Sequence, residues 1–211
     1  MPKFLPLFPL QLVVFPGEKL KLHIFEPRYK QLIGECRDEK GTFGIPAYID
    51  NRVAEYGTEM RLLQIFATHP GGEMDILTEG VSVFHLERFE RQAQNKLYPG
   101  GHVTPLDIDS AAYPVTMEEL AQQYAKFHEL LKTGYTRDRF DIRNISYQLA
   151  QEVGLSLVQK VQMLAIAKET DRQLFLIQHL HRIIPMLEGA EDTRRRVKGN
   201  GHFAKLPPIN L

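Results

Sequence analysis

The chain has 211 residues, enough for one large domain or two small ones with a real core, and its apolar and charged contents are ordinary for a globular protein. Twenty-six basic and twenty-six acidic side chains cancel, and the balance holds in each half, so no overall field draws the chain to nucleic acid or to an anionic membrane. A lone cysteine, Cys36, excludes an internal disulfide and points to a reducing, cytoplasmic setting.

The opening run LPLFPLQLVVFPGEKLKLHIFEPRY, residues 5–29, is apolar at first but broken by Pro6, Pro9 and Pro16. Each proline lacks a backbone N–H and crowds the preceding turn, so neither an export helix nor a membrane span is expected here. Nor does any other stretch reach the roughly 18 apolar residues that a bilayer requires. From Lys19 onward, Leu20, Leu22 and Ile24 alternate with Lys19, Lys21 and His23, the signature of a half-buried strand. Pro27 then stands where a first helical residue would, behind Glu26. Tyr29, Leu32, Ile33 and Cys36 recur at helical spacing, which predicts a helix over 27–38. After Gly41, the runs TFGIPAYI and TEMRLLQIFATH are strand-like, HPGGE is a turn, and MDILTEGVSVFHLERF carries Gly80 where a bulge is expected. GGHVTPLDI completes a set of about six or seven strands, which suits a small closed or nearly closed barrel.

From Thr116 the period becomes helical. Thr116 with Glu119, Ser156 with Gln159, and Thr170 with Gln173 each fit the capping box, in which two side chains satisfy orphan N–H groups at a helix start. Leu120, Tyr124, Phe127 and Leu131 fall on one face, as do Leu174, Ile177, Ile184 and Leu187. Pro185 is expected to kink or end the last helix. The stretch SAAYPV, residues 110–115, reads as a joint. The expected fold is therefore α+β: a β-rich barrel lobe with one helix over 1–109, then an α-helical bundle lobe over 116–188. From Thr193 the chain carries Arg194, Arg195, Arg196, Lys198 and Lys205 with no acid, which reads as a flexible basic tail over 193–211. The sharper alternative is a basic arm on RNA or on an acidic partner.

No phosphate-cradling G-x-x-x-x-G-K-[ST] loop, G-x-G-x-x-G turn or G-x-S-x-G elbow occurs. Ser110 and Ser156 have structural roles as joint and cap, and Cys36 has no flanking histidine, so no catalytic nucleophile is expected. His179 and His181 are two apart on a helix and diverge by about 200°, which prevents shared ligation. With neither H-E-x-x-H nor a cysteine pair, no metal and no cofactor are expected. One cluster remains as a candidate binding site: Phe25, Glu26, Arg28 and Tyr29. A carboxylate, a guanidinium and two aromatics so close together could line a polar pocket, although an arginine held by a carboxylate at a strand-to-helix corner is commonly architectural.

The stretches LPLFPL, VVFPGEKLKLHIFEPRY, FGIP and DILTEGVSVFHLERF together resemble the N-terminal substrate-recognition domain of the Lon protease family in its short, stand-alone form. GLSLVQKVQMLAIAKETDRQLFLIQHL is similar to the helical segment that follows the barrel in that family. The resemblance implies a PUA-like barrel followed by a helical bundle. It also implies recognition of unfolded or flexible protein segments, as an adaptor or regulator working with a proteolytic machine. The chain ends where the ATPase of full-length Lon would begin, so recognition without enzymatic activity is the expectation. Related barrels bind RNA, and some Lon-like domains hold a small molecule in an aromatic cage. An RNA-binding PUA-like protein and a small-molecule-binding barrel are therefore the alternatives, since fold does not settle function. Balanced charge argues against nucleic acid, and the lack of any tryptophan argues against a cage.

Overall fold

The computed structural model describes residues 2–200 except 110, 112 and 134–143, with the backbone alone at 198–200. Among the described residues there are six strands: β1 (Lys3–Pro6), β2 (Lys19–Ile24), β3 (Thr42–Ile49), β4 (Arg52–Thr68), β5 (Met74–Glu90) and β6 (Gly100–Pro105). Helix α1 (Pro27–Glu39) lies between β2 and β3, and α2 (Pro114–Leu131), α3 (Ile145–Ala150), α4 (Leu157–Leu164) and α5 (Glu169–Asn200) follow the last strand. The α+β class expected from periodicity is the one observed.

The antiparallel sheet runs β1-β6-β5-β4-β3, with β2 added to the first half of β5. Its two end members meet, because the chain after β1 continues along β3. Leu7 and Leu10 bridge to Gly44 and Ala47 in parallel. The Phe8 N–H donates to the Gly44 carbonyl at 2.7 Å, and the Leu10 carbonyl accepts from the Tyr48 N–H at 2.7 Å. Pro6 and Pro9 fall in this opening segment, where a missing N–H costs least. Gly44 makes the approach possible: a Cβ there would lie 2.7–2.9 Å from the side chains of Leu5, Leu7 and Phe84.

A carboxylate pins the same closure. Glu59 on β4 accepts from Lys3 Nζ of β1 at 2.6 Å, from Thr42 Oγ1 of β3 at 2.5 Å and from Ser82 Oγ of β5 at 3.1 Å. Burial alone would raise its pKa, but these hydrogen bonds and the Lys3 charge outweigh burial and hold it below the ordinary glutamate value. The bulge expected near Gly80 is present, since Glu59 pairs with Ser82 while Met60 pairs with Gly80, leaving Val81 over. Gly80 is needed there because its backbone exchanges hydrogen bonds with Gly17 and Glu18, and a Cβ would sit 2.4 Å from the Phe15 carbonyl oxygen.

Of the three expected capping boxes, Ser156 with Gln159 forms in full at the start of α4. The other two do not. Helix α2 begins earlier than Thr116, at Pro114, whose fixed φ suits a first turn, and its N-cap Tyr113 makes no side-chain cap. Helix α5 begins at Glu169, ahead of Thr170. Glu169 is fully buried and paired with the equally buried Arg172 at 2.7 Å. Arg172 donates from Nε to Ser146 Oγ, from Nη1 to the carbonyls of Ile166 and Ala167, and from Nη2 to the Asp109 carbonyl and Asn144 Oδ1 as well as to Glu169. Its guanidinium also lies over the Tyr147 ring at 4.4 Å. Glu169 in turn accepts from the Ser146 N–H and hydroxyl and from Gln173. One ion pair thus ties α3 and α5 to the segment leaving the barrel.

Of the two outcomes expected at Pro185, a kink or an end, the end does not occur, since α5 runs on to Asn200. Ile184 beside it is buried, and beyond it Glu188 and Glu191 pair with Lys126 and Lys132 at 2.9 Å. Those contacts hold the helix past the proline, while the carbonyl that lost its donor belongs to the exposed His181. The helical pattern therefore continues through Thr193, where a flexible tail was expected, and residues 201–211 lie outside the described residues. The buried face of α5 is Leu176, Ile177, Leu180 and Ile184, whereas Leu174 is exposed, as is Leu131 on α2. Leu176, Ile177, Leu180 and Ile184 share one core with Phe15, Ala47 and Val83 of the barrel, joined where Phe15 stacks on Tyr147 at 5.1 Å.

Two outcomes follow from these polar centres. Arg172→Met strands Glu169 without its cation and should cost about 3 to 5 kcal/mol in urea unfolding, whereas adding Glu169→Gln should recover part of the loss. A loss below about 1 kcal/mol would mean that the pair holds nothing together. For Glu59, a folded pKa below the unfolded one adds stability above the ordinary carboxylate range that is lost as pH falls through the folded value. Glu59→Gln should therefore lower stability by about 1 to 3 kcal/mol at neutral pH, with the gap closing below about pH 4. A gap independent of pH contradicts this account.

Candidate functional site

A groove of about 830 Å³ opens over the seam where the barrel closes. The first turn of α1 contributes Arg28 and Tyr29, the β3–β4 hairpin contributes Tyr48, Asn51, Arg52 and Val53, and the end of β5 contributes Phe89 with Arg91 just beyond it. Pro9 and Pro99 complete the lining. The hairpin is tight: Ile49 pairs with Arg52 across Asp50 and Asn51, which take φ of +48° and +61°. Positive φ at both turn positions matches the strand twist, and Asp and Asn tolerate it better than most residues. Tyr48 and Arg52 are thereby held at a stiff hairpin tip.

The expected cluster is divided by the structure. Arg28 and Tyr29 line the groove, whereas Phe25 is exposed and stacks on His23 at 6.1 Å. One oxygen of Glu26 accepts from Arg28 Nε at 2.9 Å and lies 2.8 Å from its Nη2. The Arg28 guanidinium lies 4.6 Å from the Tyr29 ring centroid, and Tyr29 stacks in turn on Phe8 at 3.7 Å. Burial pushes the Tyr29 hydroxyl pKa up, so it stays a neutral hydrogen-bonding group. Arg28 itself is half exposed, and exposed ion pairs contribute little to stability. Tyr48, Arg52, Phe89 and Arg91 were not expected at a site. Their only sequence signals are the Asp50–Asn51 dipeptide and an arginine placed just past a strand end.

Among the described residues, one group of potential metal ligands converges. His23 Nδ1 and His69 Nε2 contact the two oxygens of Asp75 at 2.7 and 2.8 Å, and all three ligand atoms lie within 4.8 Å of one another. Hydrogen bonds from the two imidazoles hold the Asp75 carboxyl below its usual range. A search for ligand spacing along one helix misses this group, because β2 and the β4–β5 turn bring its members together across the sheet. Cys36 is buried, and burial pushes its thiol up to about 11, so it is a poor nucleophile at neutral pH. His179 is buried too, contacts the Val153 carbonyl, and has its pKa lowered by burial. Among the described residues no helix is long and apolar enough to cross a membrane.

A six-stranded barrel with a groove at its closing seam, carried on helices, has known counterparts. The family model of the ATP-dependent protease La (LON) substrate-binding domain matches residues 4–182, and the chain belongs to this family. The crystal structure of a Lon N-terminal domain protein from Xanthomonas campestris is 25% identical, with a TM-score of 0.65, over 83% of this chain and 98% of that one. The N-terminal domain of a Mycobacterium avium complex Lon protease shares the fold at 17% identity, with a TM-score of 0.64, over 85% of this chain and 98% of that one. No curated protein matches the chain by sequence.

The exposure of Arg28 separates its two possible roles. Arg28→Ala should shift the folding free energy by less than about 1 kcal/mol in chemical denaturation. A loss of several kcal/mol would make this corner architectural and remove Arg28 from the site.

Proposed function

We propose that this member of the Lon substrate-binding family is a recognition module that holds extended segments of other proteins in the groove, as an adaptor or regulator of proteolysis with no catalysis of its own. The groove carries the reading. It is open and walled by aromatic side chains, and its polar groups stand on a stiff hairpin and a helix start, which suits a ligand contributing both backbone and side chains. In this reading the β-rich part to about residue 109 does the holding and the helices from 116 to 188 brace it. In this reading the module works in the cytoplasm, a setting that a lone, buried thiol supports.

Ordering a flexible client takes back much of the burial free energy, so affinities near micromolar are expected. A reduced, carboxymethylated protein kept unfolded and a structured RNA should be titrated in parallel against the full chain, without ATP. Binding of the unfolded protein, reduced by Arg52→Ala and by Phe89→Ala while circular dichroism stays unchanged, is the expected result. Tight RNA binding that falls steeply with salt, with no affinity for the unfolded protein, would overturn this reading in favour of an RNA-binding barrel.

A further inference from the structure

Resting on that reading, we propose that the groove selects acidic segments: a client carboxylate is taken by Arg28, Arg52 and Arg91, and an adjoining apolar side chain lies against Tyr48 and Phe89. The argument starts from which arginines lack a partner. The β-rich part carries six arginines: Arg28, Arg37, Arg52, Arg61, Arg88 and Arg91. Arg37 pairs with Asp38, Arg61 with Glu79, and Arg88 with Glu90. Among the described residues, Arg52 and Arg91 have no ion pair, and both line the groove. The third arginine there, Arg28, is held by Glu26 through Nε and Nη2, which leaves Nη1 to donate to a ligand.

Apart from Glu26, which pairs with Arg28, the neighbouring acids do not neutralise these cations. Glu90 is committed to Arg88 and His102, and Asp50 sits in the hairpin turn with no ion pair among the described residues. Among the described residues no carboxylate lines the groove. Arg52 and Arg91 bring two uncompensated positive charges to the lining of one groove, and guanidinium forks match carboxylates in shape as well as in charge. Aromatic walls beside those forks favour an anion carried next to an apolar group over a bare ion.

A nucleic acid strand fits less well. Its phosphates need cations that continue along a track, whereas Glu26 and Asp50 flank this groove in sequence and no lysine is among its described lining residues. At about 830 Å³ the groove holds a short stretch of chain, within the roughly 300 to 1,000 Å³ usual for compact ligand sites.

The test uses the full chain and three labelled peptides of one apolar framework, with glutamate, serine or lysine at the same alternating positions, read by fluorescence anisotropy at low and moderate salt. The acidic peptide should bind about tenfold or more tighter than the serine peptide, with the lysine peptide weakest, and the preference should shrink as salt rises. Arg52→Ala and Arg91→Ala should each cut acidic binding several-fold, and together they should bring it down to the level of the serine peptide. Arg61→Ala, which removes a paired arginine outside the groove, should change nothing. Equal affinity for all three peptides would overturn the acidic preference while leaving segment recognition standing. No binding of any peptide, together with no binding of the unfolded protein, would overturn both. Displacement of the acidic peptide by a single-stranded RNA at lower concentration than by unlabelled peptide would overturn it in favour of nucleic acid.

Discussion

Closure of the sheet is the constraint on which the rest of this molecule depends. An antiparallel sheet that ends in open edges invites pairing with other chains, and here the first and last members of the sheet are brought together by the segment from Leu7 to Leu10. That segment can lie against β3 because Gly44 has no side chain to keep it away. The join is further tied by one carboxylate, Glu59, which reaches β1, β3 and β5 together. The groove lies over this seam and is lined partly by Pro9 of the closing segment. Fold and site thus share a cause: the contacts that shut the barrel also set out the walls of its candidate ligand site.

The helical part depends on a different kind of interaction. A buried ion pair is a weak source of net stability, since removing two charges from water costs several kcal/mol for each ion. Arg172 and Glu169 meet that cost with partners for every donor and for both carboxylate oxygens. Its contribution is better understood as specificity. Only one arrangement of α3, α5 and the segment at Asp109 places six carbonyl and side-chain oxygens around the same guanidinium. An apolar contact tolerates sliding, and this one does not.

Elements governed by local rules were legible before any coordinates. The alternation of Leu20, Leu22 and Ile24, the proline opening α1, the bulge beside Gly80 and the cap at Ser156 all stand where sequence reasoning puts them. Misreadings arose where a local pattern met a stronger competitor. Thr116 matches a cap by spacing, but Pro114 had already begun the helix. Thr170 does so too, yet the residue before it, Glu169, is the buried partner of Arg172. Pro185 is a helix breaker whose neighbours hold the helix regardless. The groove was legible only at Arg28 and Tyr29. Tyr48, Arg52, Phe89 and Arg91 come together through pairing between strands far apart in sequence, and no short window of residues carries that information.

The continuation of α5 also changes what its basic end can do. As a loose arm, Arg194, Arg195 and Arg196 could all turn toward one anionic partner. On a helix, successive residues are rotated by about 100°, so the three exposed guanidinium groups point to three different sides. Any one flat surface can meet only some of them, and Arg195 is within 3.8 Å of Glu191 on its own helix. The cluster that looks densest in the sequence is therefore the one whose charge the fold disperses. Arg28, Arg52 and Arg91, far apart along the chain, instead line one groove.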